Sequence, residues 1–196
     1  LRPVKLAIAA SHTSDFIEQA LPATGLRHGL LVDTIKIKGR GQRSLDSFIS
    51  WVKETFPQIT NIQVVDTLED VVRDSDLVTY CSTGEVGDPS TYPLVRREWV
   101  KPGAFLAMPA PCSIDAGMEQ DDIRKVLDNT GMYNAWFEEL PKPAHNCVPL
   151  VGVRFMDMIA EGSLQPEQLE DIGKIIAGDA PGRLNDEEII LMSVGG

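Results

Sequence analysis

The sequence predicts an α/β protein, a Rossmann-like, doubly wound and mostly parallel sheet. Three observations carry that expectation. Short apolar runs rich in Val, Ile and Leu alternate with amphipathic stretches of helical length, as in βα units whose strands are buried on both faces. The chain has 196 residues, enough for one such domain. Turn-forming residues follow several of the apolar runs, at the strand ends where sheets of this kind bind ligands.

Taken in order, Val4–Ala10 reads as the first strand and runs into "SHTSD", Ser11 to Asp15. Residues 33–38 read as the second strand. From Ser44 to Phe56, Leu45, Phe48, Ile49 and Val52 stand at helical spacing, and Pro57 ends the helix. Strands are expected at 62–65, Leu77–Cys81, 104–108, 132–136 and 189–192. Short helices are expected from Leu68 to Arg73 after Thr67, from Gln120 to Leu127, and from Pro166 to Ala177 closing on Gly178. The loops that leave the strands are then Ser11 to Asp15, Gly39 to Gln42, Asp66 to Thr67, Ser82 to Asp88 and Pro109 to Asp115.

Eighteen Lys and Arg against 29 Asp and Glu give a formal net charge of -11. That excludes a nucleic-acid partner, which needs a basic surface to release phosphate counterions. The hydrophobic fraction is 43%, and no apolar run nears the ~20 residues of a membrane span. The three cysteines, Cys81, Cys112 and Cys147, include no CxxC pair. They suggest neither a disulfide framework nor a metal site, and point to a reducing, cytoplasmic compartment. The first residue is Leu, and the chain stops at "MSVGG" directly after a strand-like run. It is expected to be part of a longer protein.

Several strand-end residues carry candidate chemistry. "KGRGQRS" after the second strand holds Lys38, Arg40 and Arg43, cations that suit a ribose 2′-phosphate where a carboxylate would suit a free 2′-hydroxyl. The same turn also reads as a solvated basic turn before a helix capped by Ser44. "CSTGEVGDPSTY" offers hydroxyls, glycines and main-chain amides. In "MPAPCSIDAGME", Asp115 is either a general acid or base or the cap of the next turn. Cys112 reads as a small buried residue more readily than as a nucleophile, and His12 as a surface histidine. Asp15 and Glu18 stand at N-cap and N3 spacing, where carboxylates satisfy the helix's own amides and oppose a pyrophosphate.

From about Asp33 onward the chain resembles the ornithine cyclodeaminase/mu-crystallin family, in its nucleotide-binding half. The resemblance rests on "DTIKIKGRGQRSLDSF", "VVDTLEDVVRDSDLVTYCSTG", "PLVRREWVKPGAFLAMPA" and "IAGDAPGRLNDEEIILMSVGG", in the family's order. It implies a single Rossmann-like dinucleotide-binding domain over 1–196 within a two-domain protein, with residues 1–32 outside the family pattern. It also implies NADP or NAD as cofactor, a small amino or imino acid as substrate, and a homodimer formed through a domain outside this chain. Carried over residue by residue, Lys38, Gly39 and Arg40 meet the adenosine ribose, Ser82, Thr83 and Gly84 line the cofactor, and Ser193, Val194 and Gly195 approach the nicotinamide. Asp115 is the nearest match to the family's catalytic aspartate. The loop around Asp115 departs from the family's wording, and the glycine-rich fingerprint before "DTIKIKGRG" is absent. A fragment, a chain lacking an internal segment near Leu31, and a member that has lost part of its cofactor grip all fit these departures.

The expected function is an NAD(P)-dependent oxidoreductase or deaminating cyclase of this family, with NADP favoured by the basic turn. The alternative is a non-catalytic nucleotide-binding or accessory subunit whose phosphate loop has decayed.

Overall fold

In the computed structural model, which describes residues 4–10, 32–39, 41–81 and 87–195, eight strands form one sheet and every neighbouring pair runs parallel. The strands are β1 (Val4–Ala10), β2 (Val32–Lys38), β3 (Asn61–Val64), β4 (Leu77–Cys81), β5 (Leu94–Val95), β6 (Phe105–Met108), β7 (Ser113–Ile114), β8 (Ile123–Leu127), β9 (Leu169–Asp171) and β10 (Ile189–Ser193). Among the described residues, strands β5 and β7 pair only with each other. The main sheet runs β3-β2-β1-β4-β6-β10-β8-β9. The chain steps outward from β1 to β3, then returns to the other side of β1 at β4. In open α/β sheets such a reversal marks where a ligand crevice forms, here beyond the carboxyl ends of β1 and β4.

The helices are α1 (Gln42–Thr55), α2 (Leu68–Val72), α3 (Thr130–Glu139), α4 (Val151–Glu161) and α5 (Ile172–Ala177). Register pairs Ala7 with Lys36 and Val78, Val78 with Leu106, Leu106 with Leu191, and Leu191 with Lys125. Paired positions share a face. On this face Val71 and Val72 of α2 and Val151, Phe155 and Met158 of α4 join Ala7, Val78, Leu106 and Leu191 in one core. Leu45, Phe48 and Val52 of α1 pack with Ile35 and Ile37 in a second core, on the opposite face. Helices on both faces make the sheet doubly wound. Thr67 caps α2 by accepting from Asp70 N, and α5 closes on Gly178 at φ 83°.

Four sequence expectations are corrected. The helix expected from Gln120 to Leu127 is a turn followed by β8. Ile123, Val126 and Leu127 mimic a helical stripe because a central parallel strand is apolar on both faces. Its two cations are held by distant groups or by carbonyls. Arg124 pairs with Glu170 and Glu188, and Lys125 Nζ donates to Gln120 O at 2.8 Å and Ile123 O at 3.0 Å. The strand expected at 132–136 is the middle of α3, which starts where Asn129 accepts from Met132 N at 3.2 Å. The helix expected from Pro166 to Ala177 is a 3-10 turn, then β9, then α5. Ser44 does not open its helix: Gly41 is the N-cap, and its carbonyl accepts from Ser44 N and Leu45 N. The apolar, largely buried helix α4 had no counterpart in the sequence reading.

Candidate functional site

The carboxyl rim of the sheet shows two built ends among the described residues. At the β2 exit, Lys38 Nζ donates to Asp66 O at 2.7 Å, bridging to the loop that follows β3. Gly39 comes next, half-buried and without a side chain. Arg40 lies outside the described residues, as do Ser82, Thr83 and Gly84 after β4, and His12, Asp15 and Glu18 after β1. Where the chain is described again after β4, Gly87 N donates to the Tyr92 hydroxyl at 2.9 Å.

The other end lies where β8 and β10 leave the sheet side by side. Ser193 is buried, and its Oγ accepts from Gly152 N at 2.8 Å and meets the Tyr133 hydroxyl at 2.9 Å. Asp128 N donates to Ser193 O at 3.2 Å, and Val194 N donates to Met108 O at 3.2 Å. The exit of β10 is thus tied to both neighbouring strands. Gly195 N donates to Asp128 Oδ2 at 2.8 Å, and Asn129 N to Asp128 Oδ1 at 3.0 Å. A β-carbon on Gly195 would stand 2.7 Å from the Tyr133 hydroxyl and 2.7 Å from Met132 Cε, so the chain packs there only as glycine. The half-buried Asp128 brings a carboxylate to this rim. Burial pushes the Tyr133 hydroxyl's pKa up, the Ser193 contact opposes that, and Asp128 adds to it by charge and hydrogen bonding.

The structure thus brings together Ser193, Val194 and Gly195, and joins to them a residue the sequence reading passed over, Asp128. An apolar run closing on Asp-Asn ahead of a helix was the available signal. It was hidden because 120–127 was read as helical, which left no strand exit at 128.

Asp115 is placed elsewhere, directly after β7. Its Oδ1 accepts from Arg97 N at 3.1 Å and Met118 N at 3.0 Å, and its Oδ2 faces Arg97 N at 3.3 Å. This is the turn-capping geometry. Cys112 is fully buried, and burial pushes its thiol up to about 12. His145 Nδ1 lies 3.1 Å from Leu150 O, and burial lowers its pKa.

The residues present suit a dinucleotide at both ends of the crevice: an ammonium beside a side-chain-free exit at Lys38 and Gly39, and a close-packed exit with a carboxylate at Gly195 and Asp128.

Residues 17–196 match the model of the ornithine cyclodeaminase/mu-crystallin family. The match begins ahead of Asp33, where the quoted family-like stretches start. Among solved structures, the chain is similar to Δ1-pyrroline-2-carboxylate reductase of Thermococcus litoralis in complex with NADH and L-proline, at 15% identity and a TM-score of 0.71 over 99% of this chain and 53% of that one. It is similar to an archaeal alanine dehydrogenase dimer with bound NAD, at 18% identity and a TM-score of 0.67 over 100% of this chain and 53% of that one. It is also similar to CmnK, at 14% identity and a TM-score of 0.62 over 98% of this chain and 49% of that one. These likenesses show the Rossmann-like fold, and the chain spans about half the length of each structure. A search of the curated proteins finds no match.

Proposed function

Because the chain belongs to the ornithine cyclodeaminase/mu-crystallin family, we propose that it is the nucleotide-binding part of an NAD(P)-dependent oxidoreductase or deaminating cyclase acting on a small amino or imino acid. The observation that carries this reading is the paired exit of β8 and β10, where Asp128 and the Ser193–Gly195 main chain meet at the carboxyl rim. Lys38, Gly39 and Arg40 would hold the adenosine ribose, Ser82, Thr83 and Gly84 the middle of the cofactor, and Ser193, Val194 and Gly195 the nicotinamide end. When bound, the nicotinamide would exchange a hydride with the substrate's Cα.

Two carboxylates compete for the proton-carrying role. Both accept main-chain amides, Asp115 those of residues 97 and 118 and Asp128 those of residues 129 and 195, so position separates them. Asp128 stands at a strand exit, half-buried, beside the residues assigned to the nicotinamide. We assign the role to Asp128 and leave Asp115 as the cap of its turn. The cations Lys38 and Arg40 favour NADP, and the matched structures carrying NADH and NAD support a nicotinamide cofactor in general. The homodimer expected from the family gains support from the alanine dehydrogenase, which is a dimer. The three free cysteines support a cytoplasmic setting.

Titration of the purified protein with NADH and NADPH, followed by fluorescence or calorimetry, tests this reading. Binding near the micromolar range supports it, and none at roughly millimolar ligand overturns it. That negative result supports the second reading, a non-catalytic accessory subunit. Its motivating observation is "SHTSD" with Glu18 beyond it, carboxylates in place of a glycine phosphate loop.

A further inference from the structure

Asp128 is the accessible end of a buried chain of polar groups. Helix α4 begins at Val151 with no side-chain cap on Leu150. Its second residue, Gly152, sends its N–H to Ser193 Oγ on β10, so a strand residue satisfies an amide at the helix start. The same Oγ meets the hydroxyl of Tyr133, which is fully buried on α3. The Tyr133 O–H donates across that contact, so Ser193 Oγ accepts from both Tyr133 and Gly152. Through its main chain the same Ser193 meets the β8 exit, where its carbonyl accepts from Asp128 N. Ser193 thus joins the start of α4 and the Tyr133 hydroxyl to Asp128.

The packing points the same way. The Tyr133 hydroxyl lies where a side chain on Gly195 would begin, and Gly195 gives its N–H to Asp128. One hydroxyl therefore bears both on the carboxylate and on the main chain that holds it.

We propose that Tyr133 is a positioning residue that acts through Asp128, joining Ser193 and the start of α4 to the carboxylate so that it faces the nicotinamide end of the crevice ready to accept and return one proton. The inference rests on the assignment of Asp128 made above. No bond other than O–H changes, and no electrons move along the chain.

The test is Tyr133→Phe, which keeps the ring against Gly152 and Trp136 and removes only the hydroxyl. In isotope-labelled protein, amide exchange at Gly195 is expected to quicken by about tenfold or more, the worth of one lost hydrogen bond. The carboxyl carbon resonance of Asp128 is expected to move as well. In the intact enzyme turnover should fall roughly 10- to 100-fold while KM for the cofactor stays within about threefold, since orientation is lost and binding is not. Ser193→Ala cuts the same chain in the middle and should reproduce the Gly195 and Asp128 changes, which keeps the test decisive if Tyr133→Phe fails to fold. Unchanged Gly195 exchange and an unmoved Asp128 resonance overturn the inference, whatever the cofactor titration gives. Absence of cofactor binding by the unmutated protein overturns the functional reading, and the two resonance measurements separate that failure from this one.

Discussion

A β-carbon on Gly152 would stand 2.4 Å from Cε1 and 2.6 Å from Cζ of Tyr133, so α4 reaches α3 only because residue 152 has no side chain. Leu127 Cδ2, 2.8 Å from the same point, closes the other way out. Gly152→Ala must displace the ring or the helix in a packed core, and is expected to cost about 1–3 kcal/mol. The midpoint of urea unfolding measures it. A midpoint equal to that of the unmutated protein would show that the two helices can part at no cost.

Arg124 binds the segment before β10 to the edge of the sheet. Its guanidinium pairs with Glu170 and Glu188 and donates to Pro181 O at 2.6 Å and Gly182 O at 2.5 Å, with 8% of the side chain exposed. Arg124→Met keeps the volume but leaves the Glu188 carboxylate, 9% exposed, without its cation. A loss of about 3 kcal/mol or more is expected. Faster proteolysis within 181–188 should accompany it, and cutting at an unchanged rate would argue against the latch.

His145 should make stability depend on pH. Burial lowers its pKa from the ordinary 6.5, and the Leu150 carbonyl opposes this only partly. Below that value the unfolded chain takes up a proton that the folded state still refuses. Stability is therefore full above about pH 6.5 and falls as pH drops toward the folded-state value. Asp171, held below its ordinary 3.8 first by the Thr130 N–H, acts only at lower pH. Thermal melts between about pH 7.5 and 5.5 should show this fall, and His145→Gln should flatten it.

Cys112 should be inert in the native protein. It is fully buried, and burial pushes its thiol up to about 12, so almost no thiolate forms near neutrality. With an aromatic disulfide reagent, Cys112 is expected to stay unlabelled until the chain unfolds, whereas all three cysteines react in denaturant. Prompt labelling of Cys112, read by peptide mass, would show that the core around it opens.

The basic turn should decide between the two cofactors. If the turn holds the adenosine ribose as proposed, Arg40→Asp replaces a cation suited to a 2′-phosphate by a carboxylate suited to a free 2′-hydroxyl, and should reverse a preference for NADPH into one for NADH. The ratio of the two dissociation constants is the measurement. An unaltered ratio would remove this turn from the site.

Where an apolar run is bounded by turn-formers, its element was legible from sequence. Val4–Ala10 and Leu77–Cys81 were read with their observed bounds. The helix over 42–55 was legible because Leu45, Phe48 and Val52 line one face. Strand β8 and helix α3 were read as each other's type, because a short window of apolar residues fits either period. The functional consequence was larger than the geometric one, since the exchange concealed the strand exit that carries Asp128.

By itself the sequence determined the fold class and the family, because these follow from local patterns of apolar, turn-forming and charged residues. Only the tertiary structure decided that Arg124 and Lys125 could lie in a strand and that Asp128 meets Gly195. For Arg124 and Asp128 they depend on partners far along the chain, 46 and 64 residues away for Arg124 and 67 for Asp128, whereas Lys125 is held by the nearby carbonyls of residues 120 and 123. A local pattern carries no record of a carboxylate or carbonyl that arrives only when the sheet closes.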